Sequence, residues 1–494
     1  MKKINIALIL LLFTITLTAQ VPEEALRYSR LSYTSGTARS ASMAGAFGAL
    51  GGDFSTLTTN PAGIGIYRSC EFSFTPSLSY TVSKSTYYDN ERNDSETQFN
   101  IANIGYTHVF EATANGKQAG FKYFQFGLGL NRTNNFDRNV LATGYNEESS
   151  ITTQWVNEIS RNNPNFLNDE DGIPNSLNDY STALAWNSYL IDFDTDNGFF
   201  FSDMEGGKVQ QTIRLTSEGS QNEFVFSGGT NWNDKLYFGI TLGIPYYNYY
   251  ERYRIKEEDI NSVNPYFSDM QYTTTLRSSG TGINFKAGMI YKPVEWLRIG
   301  AAIHTPTLYD VSDTYQAQIE ANYDQEINGY FSYNDQSSIS TFSYQLVTPL
   351  RAIGSLGFVI GNTGIISVDY TYQDYSTMKF KDDEYILDDA NEIIKESYTA
   401  THNVRIGGEL ALGFLRLRAG YGFETSPYQT DINNGFRSQI CGGIGFRAGA
   451  IYTDFAFAHS KETLDFYPYS SSYVEAASTR YLANQFQLTF GFRF

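Results

Sequence analysis

Cysteine and histidine are scarce in this sequence. Its 494 residues include two cysteines, Cys70 and Cys441. Two are too few for a disulfide framework and fit no zinc spacing, and the sequence leaves open whether they pair with each other. The histidines are His108, His304, His402 and His459. None lies in a patterned arrangement with serine, aspartate and glycine, so we expect no enzyme active site, no cofactor and no metal site.

Charge, and positive charge above all, is also in short supply. Charged residues make up 18% of the chain, and its formal net charge is −18. Binding to nucleic acid requires a basic surface, which excludes nucleic acid as a partner. Many of the acidic residues lie in the range 141–207, where Arg161 is the only basic residue.

Beyond its first twenty residues the chain lacks an uninterrupted apolar run of about 20 residues, the length that a membrane-spanning helix needs. Lys2, Lys3, a short apolar stretch from Ile6 to Leu17 and the small residue Ala19 predict a signal peptide at 1–19. The exported remainder is therefore either soluble or a β-barrel, because only helices and closed barrels satisfy every backbone group in lipid.

Aromatic residues and glycine are abundant instead, with 38 Tyr, 36 Phe and 42 Gly. From Leu482 to Phe494 the even positions are mainly apolar, whereas the odd positions are polar or small. Successive side chains of a strand point to opposite faces, so this strand has one apolar and one polar face. A final strand that ends in an aromatic residue is typical of outer-membrane barrels. Phe494 is thus our candidate insertion signal, read by the barrel-assembly machinery.

The same alternation predicts fourteen strands. They are 70–82, 98–110, 120–133, 222–232, 235–249, 272–291, 296–319, 338–360, 364–380, 398–412, 415–424, 436–447, 450–461 and 482–494. Short links alternate with long ones, as periplasmic turns alternate with external loops; only the link 111–119 is of middling length. We therefore predict an all-β fold, a 14-stranded antiparallel transmembrane β-barrel over residues 70–494. We expect a monomer surrounded by outer-membrane lipid.

Residues 20–69 do not alternate and are rich in Gly, Ala and Ser. A fourteen-stranded barrel is wider than its wall side chains can fill, since eight strands already leave room only for them. The sequence therefore predicts that this segment forms a small N-terminal hatch inside the lumen. Whether the hatch moves or is a rigid plug stays open.

The N-terminal segment also carries a motif. The run from Gly36 to Asp53, followed by Asn60-Pro61-Ala62-Gly63, resembles the hatch of the FadL/TodX (OmpP1) family of outer-membrane transporters, in which Asn-Pro-Ala is the hatch motif. Similar segments are Tyr291-Lys292-Pro293 and Arg405-Ile406-Gly407-Gly408-Glu409. The hatch glycines are Gly45, Gly48, Gly51 and Gly52, which let the backbone pass close to the barrel wall.

This resemblance covers essentially the whole mature chain. It implies an outer-membrane channel for passive uptake of hydrophobic small molecules, of the long-chain fatty acid or aromatic hydrocarbon class, gated by the hatch. Two alternatives stay open. The barrel could be a partner or shuttle in a protein-secretion or assembly complex, or a hemin-type receptor, although the sequence has no haem-ligand motif.

Residues 134–221 form the longest predicted external loop, with short amphipathic helices expected over Ile151 to Ile159 and Leu177 to Ile191. In the family, helical external loops form a hydrophobic groove that captures substrate first. The candidate groove residues here are Trp155, Val156, Ile159, Leu177, Tyr180, Leu184 and Ile191. The alternative is that they pack the loop against itself.

Alternation also points several charged residues into the lumen, namely Arg298, Arg351, Asp369, Arg405, Glu409, Arg416 and Arg418. If Gly413-Phe414 is a two-residue turn, Glu409 lies directly opposite Arg418. One of the arginines could bind a carboxylate ligand in a bidentate fork. The interpretation we favour is that these charged residues pair with one another in a structural ladder across the wall.

Overall fold

The computed structural model describes residues 22–32, 34–112, 120–162, 177–382, 387–429 and 433–494. The predicted signal peptide at 1–19 lies outside these ranges. Among the described residues there is no helix with the length and apolar character needed to cross a bilayer.

Fourteen antiparallel strands close into a barrel, as the sequence predicts. The segments are β1 (Glu71–Tyr87), β2 (Asn90–Glu111), β3 (Phe121–Asn135), β4 (Arg138–Asn146), β5 (Asp192–Asp194), β6 (Phe199–Phe201), β7 (Val209–Trp232), β8 (Leu236–Glu258), β9 (Phe267–Val294), β10 (Leu297–His304), β11 (Leu308–Ile327), β12 (Tyr330–Gln336), β13 (Ser340–Val347), β14 (Arg351–Ile360), β15 (Gly364–Asp374), β16 (Lys379–Lys381), β17 (Ala400–Leu412), β18 (Leu415–Glu424), β19 (Arg437–Ala448), β20 (Ile451–Phe466) and β21 (Ala477–Arg493). Four barrel strands are interrupted: β3 continues as β4, β10 continues as β11, β12 and β13 continue as β14, and β15 continues as β16.

The barrel closes between its first and last strands. β1 pairs with β21, with Phe72 opposite Phe492. The backbone N–H of Cys70 donates to the Phe494 carbonyl at 3.0 Å, and the Phe494 N–H donates to the Cys70 carbonyl at 3.1 Å. The candidate insertion signal thus lies where the two ends of the sheet meet.

Side chains on the two faces of each strand differ as the period of two predicts. On β21, Phe486 and Phe490 are exposed on the outer face, whereas Gln487 and Thr489 are buried on the inner face. On β8 the outward residues are apolar from Phe238 up to Tyr246 and polar or charged beyond it. The apolar stretch spans about 27 Å along the strand at 3.4 Å per residue, which suits the apolar band of a tilted membrane strand.

The strands extend far beyond this band on the external side, and here the sequence-based boundaries are wrong. The predicted loop 83–97 is a hairpin of β1 and β2, turning at Tyr88 and Asp89 with positive φ. Likewise, 250–271 and 320–337 are mostly strand. Outside the lipid both faces carry polar residues, so the alternation that marks the membrane-spanning part fades although the ladder continues.

Three strands predicted as continuous are broken: 364–380 is interrupted by a 3-10 turn at Tyr375–Thr377, and two others break inside the wall. The break in 296–319 falls at residues 305–307, and the break in 338–360 falls at 348–350. Each contains a proline, Pro306 or Pro349, which has no N–H to donate to the ladder. The remaining groups are satisfied locally, since the Thr348 N–H donates to the Thr307 carbonyl at 3.0 Å.

The N-terminal segment (residues 22–66) lies inside the barrel. It contains α1 (Pro22–Ser29), α2 (Ala38–Ala41), α3 (Thr56–Thr59) and a 3-10 turn at Pro61–Ile66. Most of its side chains are fully buried, and they contact inward-facing residues of strands all around the wall. Its role as a moving hatch stays a prediction.

The external mouth is closed by a cap, residues 150–205 as far as they are described, which contains α4 (Ile151–Asn162) and α5 (Thr182–Asn187). The first predicted helix is present, but the second is much shorter than Leu177 to Ile191. It ends at Asn187, just before Tyr189 adopts a left-handed backbone with φ 60°. A further helix, α6 (Asp388–Ser397), precedes β17 on the external side.

Candidate functional site in the barrel lumen

Wall side chains hold the N-terminal segment by its backbone. The Thr489 hydroxyl of β21 accepts from the Ala38 N–H at 2.8 Å. On β17, Arg405 donates to the Gly45 carbonyl at 3.0 Å. On β8, the Thr241 hydroxyl donates to the Leu57 carbonyl at 3.0 Å. These contacts come from widely separated strands, so the segment is fixed on several sides.

Asn60 of the hatch motif is completely buried and uses its whole side-chain amide. Its Nδ2 donates to the Gly48 carbonyl at 2.6 Å and to the Met289 carbonyl of β9 at 3.3 Å. Its Oδ1 accepts from the Ala62 N–H at 3.1 Å, which caps the 3-10 turn that Pro61 begins. Asn60 therefore ties two parts of the segment to each other and to the wall.

The hatch glycines allow close approach of backbones. A Cβ on Gly48 would overlap the Ser355 hydroxyl of β14. Gly51 has φ +64°, and a Cβ there would lie 2.8 Å from the Cα of Gly63, another residue of the hatch motif. Gly45 and Gly52 also have positive φ, at 74° and 65°.

Sequence reasoning missed the matching glycines of the wall. A Cβ on Gly239 of β8 would overlap the Pro61 carbonyl, and one on Gly288 of β9 would overlap the Asn60 amide. Both face the lumen next to the hatch motif. An inward glycine on a strand otherwise lined by larger residues was the signal that could have located this docking surface.

The charges on β17 and β18 form a buried ladder. Glu409 pairs with Arg418 across the two strands, with Oε2 and Nε 2.6 Å apart. Arg418 also contacts Asp454 of β20 at 2.8 Å, and Asp454 contacts Arg447 at 2.9 Å. Arg39 of the N-terminal segment joins from inside, 3.1 Å from Glu409. Arg39 and Asp454 were not among the predicted residues.

Three other predicted luminal charges bind the N-terminal segment. The Asp369 carboxylate accepts from the Gly48 N–H at 2.9 Å and lies 3.6 Å from Arg405. Arg298 donates to the Leu50 carbonyl at 2.6 Å. Arg416 lies instead at the periplasmic end, where it donates to the Gly413 carbonyl of the turn at 2.6 Å.

A cavity of about 90 Å³ lies between the N-terminal segment and the wall. The segment contributes Tyr28, Ser29, Ser40, Ser55 and Thr59, among others. The wall contributes Gln221, Glu223, Asn284, Lys286, His304, Tyr309 and Arg351, among others. Apolar residues such as Leu31, Pro245, Pro349 and Ile353 also line it, so the cavity surface is about equally polar and apolar.

The cations in this cavity differ in their partners. Lys286 contacts Glu223 at 2.5 Å. Arg351 donates from Nε to the Gln373 amide oxygen at 3.1 Å and forms no ion pair within the described part of the chain. His304 contacts the Thr59 carbonyl through Nε2 at 2.8 Å, and its buried Nδ1 has no hydrogen-bond partner among the described residues. Arg351 and His304 thus offer free hydrogen-bonding capacity to a ligand.

The candidate groove residues of the external loop pack inside the cap. Trp155, Val156, Ile159, Leu184 and Ile191 are at most 4% exposed, and Leu177 and Tyr180 are half-buried against them. The Trp155 ring meets Tyr272 of β9 edge-on, with centroids 5.3 Å apart. In this conformation the seven residues form the interior of the cap and not an open groove.

Of the cysteines and histidines, Cys70 contacts His108, with Sγ and Nδ1 3.5 Å apart. Cys70 and Cys441 are both free thiols. His402 contacts the Tyr370 hydroxyl, and His459 contacts Asn484. Among the described residues there is no group of three or more His, Cys, Asp or Glu side chains that could hold a metal ion.

Comparison with known proteins gives a match only in structure. No protein-family model matches the chain, and no curated protein matches it. A Pseudomonas aeruginosa FadL homologue superposes with a TM-score of 0.55 at 12% identity, over 93% of this chain and 98% of the homologue. The Pseudomonas putida toluene transporter TodX superposes with a TM-score of 0.53 at 11% identity, over 94% of this chain and 99% of TodX. The Ralstonia pickettii toluene transporter TbuX superposes with a TM-score of 0.51 at 12% identity, over 94% of this chain and 99% of TbuX. The chain therefore has the fold of the FadL/TodX outer-membrane transporters along nearly its whole length.

Proposed function

We propose that this protein lies in the bacterial outer membrane and takes up hydrophobic compounds by passive diffusion through its lumen. Three observations support the proposal. The closed barrel has an outward apolar band, its own N-terminal segment occupies the lumen, and the fold is that of a FadL homologue and two toluene transporters.

Within this class, the cavity favours an amphiphile with a carboxylate, such as a long-chain fatty acid, over a plain hydrocarbon. The observation that carries this choice is Arg351, a lumenal guanidinium with no carboxylate partner among the described residues. Enclosing an unpaired charge is unfavourable, and guanidinium binds carboxylate in a bidentate fork. A hydrocarbon would leave the Arg351 guanidinium without a counter-charge.

The N-terminal segment is the proposed gate. It lines one side of the cavity from Tyr28 to Thr59, and its backbone is hydrogen-bonded to the wall around the lumen. A ligand that leaves toward the periplasm has to displace part of it. The His304–Thr59 contact borders the cavity directly, so we place the first movement there.

The cap is the proposed entrance. Its apolar interior, which includes Trp155 and Leu184, is closed in this conformation. Separation of the cap from the external strand ends would turn the same residues into a hydrophobic surface that first captures ligand. The predicted groove and the observed packing are then two states of one element.

The test compares oleic acid with oleyl alcohol, which has the same chain but no carboxylate. Binding to the purified full-length protein is measured by calorimetry, and uptake is measured into proteoliposomes. We expect the parent protein to transport oleate, and Arg351→Gln to weaken oleate binding about tenfold while leaving the alcohol unaffected. The control is Arg416→Gln at the periplasmic rim, which should bind both like the parent.

The outcomes separate the two parts of the proposal. If the parent takes up neither compound nor an aromatic hydrocarbon, the transport function is wrong. If oleate is transported but Arg351→Gln binds it as tightly as the parent, the barrel transports and only the role of Arg351 is wrong.

A further inference from the structure

Four arginines form a cluster on the outer surface of the barrel, above the membrane. They are Arg214 on β7, Arg252 and Arg254 on β8, and Arg277 on β9. Their neighbours in sequence, such as Ile213, Ile255 and Leu276, are buried on the inner face, so the arginines point outward. Three adjacent strands therefore present guanidinium groups to the same side.

The register brings these charges close together. Arg214 lies directly opposite Arg254, and Arg252 is two residues further along the same face. Arg277 lies opposite Tyr250, diagonally next to Arg252, and its guanidinium stacks over the Tyr250 ring at 5.0 Å. Like charges directly opposite each other on a sheet are destabilising. Such an arrangement is unexpected in a chain of net charge −18 unless an anion binds it.

Acidic neighbours neutralise this cluster only in part. Arg214 makes a long contact with Asp94 at 3.7 Å. Glu218 lies opposite Tyr250 on the same outer face, and Glu258 and Asp269 contact Lys256 instead. Arg252 and Arg254 form no ion pair with any residue that the structure describes. The cluster therefore keeps uncompensated positive charge.

The height of the arginine cluster above the membrane indicates which kind of molecule binds it. The outward apolar band of β8 ends at Tyr246, and Arg252 follows six residues later, about 20 Å further along the strand. With a strand tilt of about 40° this is on the order of 15 Å beyond the hydrocarbon. An ordinary headgroup layer extends only about 5–8 Å, so a lipid that reaches this level has a large headgroup. A ligand that lies against the outer wall at this level is a lipid headgroup.

A second outward cation pair repeats the arrangement on another part of the wall. Lys84 of β1 lies directly opposite Arg480 of β21, and Lys461 of β20 lies next to them, opposite Leu482. Both members of the pair point outward, because Ser83, Ser85, Thr479 and Tyr481 are buried on the inner face. Lys84 follows Val82 and Tyr80, the last apolar residues of this face of β1. Two independent pairs of facing cations thus lie on the external side of the apolar band, Lys84–Arg480 close to it and Arg214–Arg254 further out.

We propose that the Arg214–Arg252–Arg254–Arg277 cluster binds phosphate groups of the phosphorylated glycolipid that forms the outer leaflet of the bacterial outer membrane. Guanidinium groups bind phosphate bidentately, and a bound phosphate removes the repulsion between Arg214 and Arg254. The inference concerns the outer wall and does not depend on what passes through the lumen.

The test uses purified full-length protein in detergent with lipopolysaccharide as the probe, and binding is measured by native mass spectrometry and by titration. The variant is Arg252→Glu with Arg254→Glu. The matched control is Lys379→Glu with Lys381→Glu, which reverses two exposed outward charges at the same spacing on β16. Folding of each variant is checked by its heat-dependent migration in gels. Arg252→Gln with Arg254→Gln provides a milder version if charge reversal prevents folding.

We expect the arginine variant to bind lipopolysaccharide at least about tenfold more weakly, and the lysine control to lose less than about threefold. Enzymatically dephosphorylated lipopolysaccharide should bind the parent as weakly as the intact lipid binds the arginine variant. The proposal is overturned if the folded arginine variant binds like the parent, if the control loses as much, or if removing the phosphates has no effect.

Discussion

Glu409 and Arg418 face each other across β17 and β18 with their Oε2 and Nε atoms 2.6 Å apart, and both are buried in the lumen. Asp454 in the wall contacts Arg418, and Arg39 in the N-terminal segment contacts Glu409. The pair therefore joins the barrel wall to the N-terminal segment inside it. Loss of either member leaves a buried charge short of a partner.

This arrangement predicts strong coupling between the two residues. Glu409→Ala and Arg418→Ala should each lower the free energy of unfolding by about 3 kcal/mol, because breaking a buried pair strands the other charge. The double substitution should cost less than the sum by about 1–3 kcal/mol. Urea unfolding of the refolded barrel in lipid vesicles measures all three. Strictly additive losses would contradict the observed pairing.

Asn60→Asp should loosen the N-terminal segment. The carboxylate cannot donate to the Gly48 and Met289 carbonyls, and it would place negative charge against both oxygens. We expect a loss of about 3 kcal/mol in the docking of the segment, since an unsatisfied buried group next to a charge is penalised. Faster amide exchange over residues 44–66 would report it.

Asn434→Asp is the control for this change. Asn434 is exposed and uses only its side-chain oxygen, as an acceptor from the Phe436 N–H, a role that aspartate keeps. Its exchange pattern should match that of the parent. Unchanged protection of residues 44–66 in Asn60→Asp would mean that Asn60 does not anchor the segment.

Gly239→Val should open a leak through the barrel. A side chain there overlaps the Pro61 carbonyl and Ala62 N–H, so the hatch motif cannot dock. We expect small polar solutes to enter proteoliposomes several-fold faster than with the parent, because less of the lumen is filled. Gly228→Val on the neighbouring strand is the control, since a Cβ there meets no atom within 4 Å. Equal leak rates for folded Gly239→Val and parent would refute this account of the docking surface.

Closure of the cap should depend on pH through Glu257. This residue lies at the external end of β8, eleven positions beyond the apolar band. Its carboxylate accepts from the Ile151 N–H at 3.0 Å and from the Gln211 amide at 2.6 Å, where α4 begins. Burial nevertheless outweighs these donors and raises the pKa of Glu257 to about 7.

The folded pKa of Glu257 lies above the unfolded value of about 4.3, so the protonated carboxyl stabilises the closed cap. This stabilisation is complete below about pH 4 and is lost as the pH rises through 7. Between pH 5.5 and 8.5 the cap should lose about 2 kcal/mol. Amide exchange of α4, corrected for the intrinsic rate, measures the change. Glu257→Gln should abolish the pH dependence, whereas Glu147→Gln at an exposed position should retain it; a pH-independent parent would show that Glu257 does not titrate in this range.

Local rules predicted the fold and the register because both are set by neighbouring strands. The two-residue turn at Gly413-Phe414 and the period of two are enough to bring Glu409 opposite Arg418. Asp454 escaped prediction because it reaches Arg418 across an intervening strand. The space that permits this contact is at Gly445 of β19, where a Cβ would meet both side chains.

The cap and the N-terminal contacts were harder to predict, for a different reason. Whether Trp155 and Leu184 line a groove or a packed interior depends on what the external strand ends place opposite them, here Tyr272 and its neighbours. Several of these neighbours, such as Phe267 and Tyr323, lie in segments that the sequence predicts as loops, because their polar outer faces hide the alternation. The partner of Arg39 likewise lies 370 residues away in sequence.

The contacts between α2 and β21 also constrain the order in which the molecule assembles. The Thr34 hydroxyl donates to the Gln485 amide oxygen, the Ala38 N–H donates to the Thr489 hydroxyl, and the Gln487 amide donates to the Thr34 carbonyl; all three partners lie on the last strand of the sheet. The Thr34–Ala38 part of the interior therefore docks only when the last strand arrives and completes the ring, whereas Thr241 of β8 and Arg405 of β17 hold later parts of the segment. Removal of β21 would open the cylinder and release the start of the N-terminal segment together, while the part that includes Leu57 keeps its wall contact.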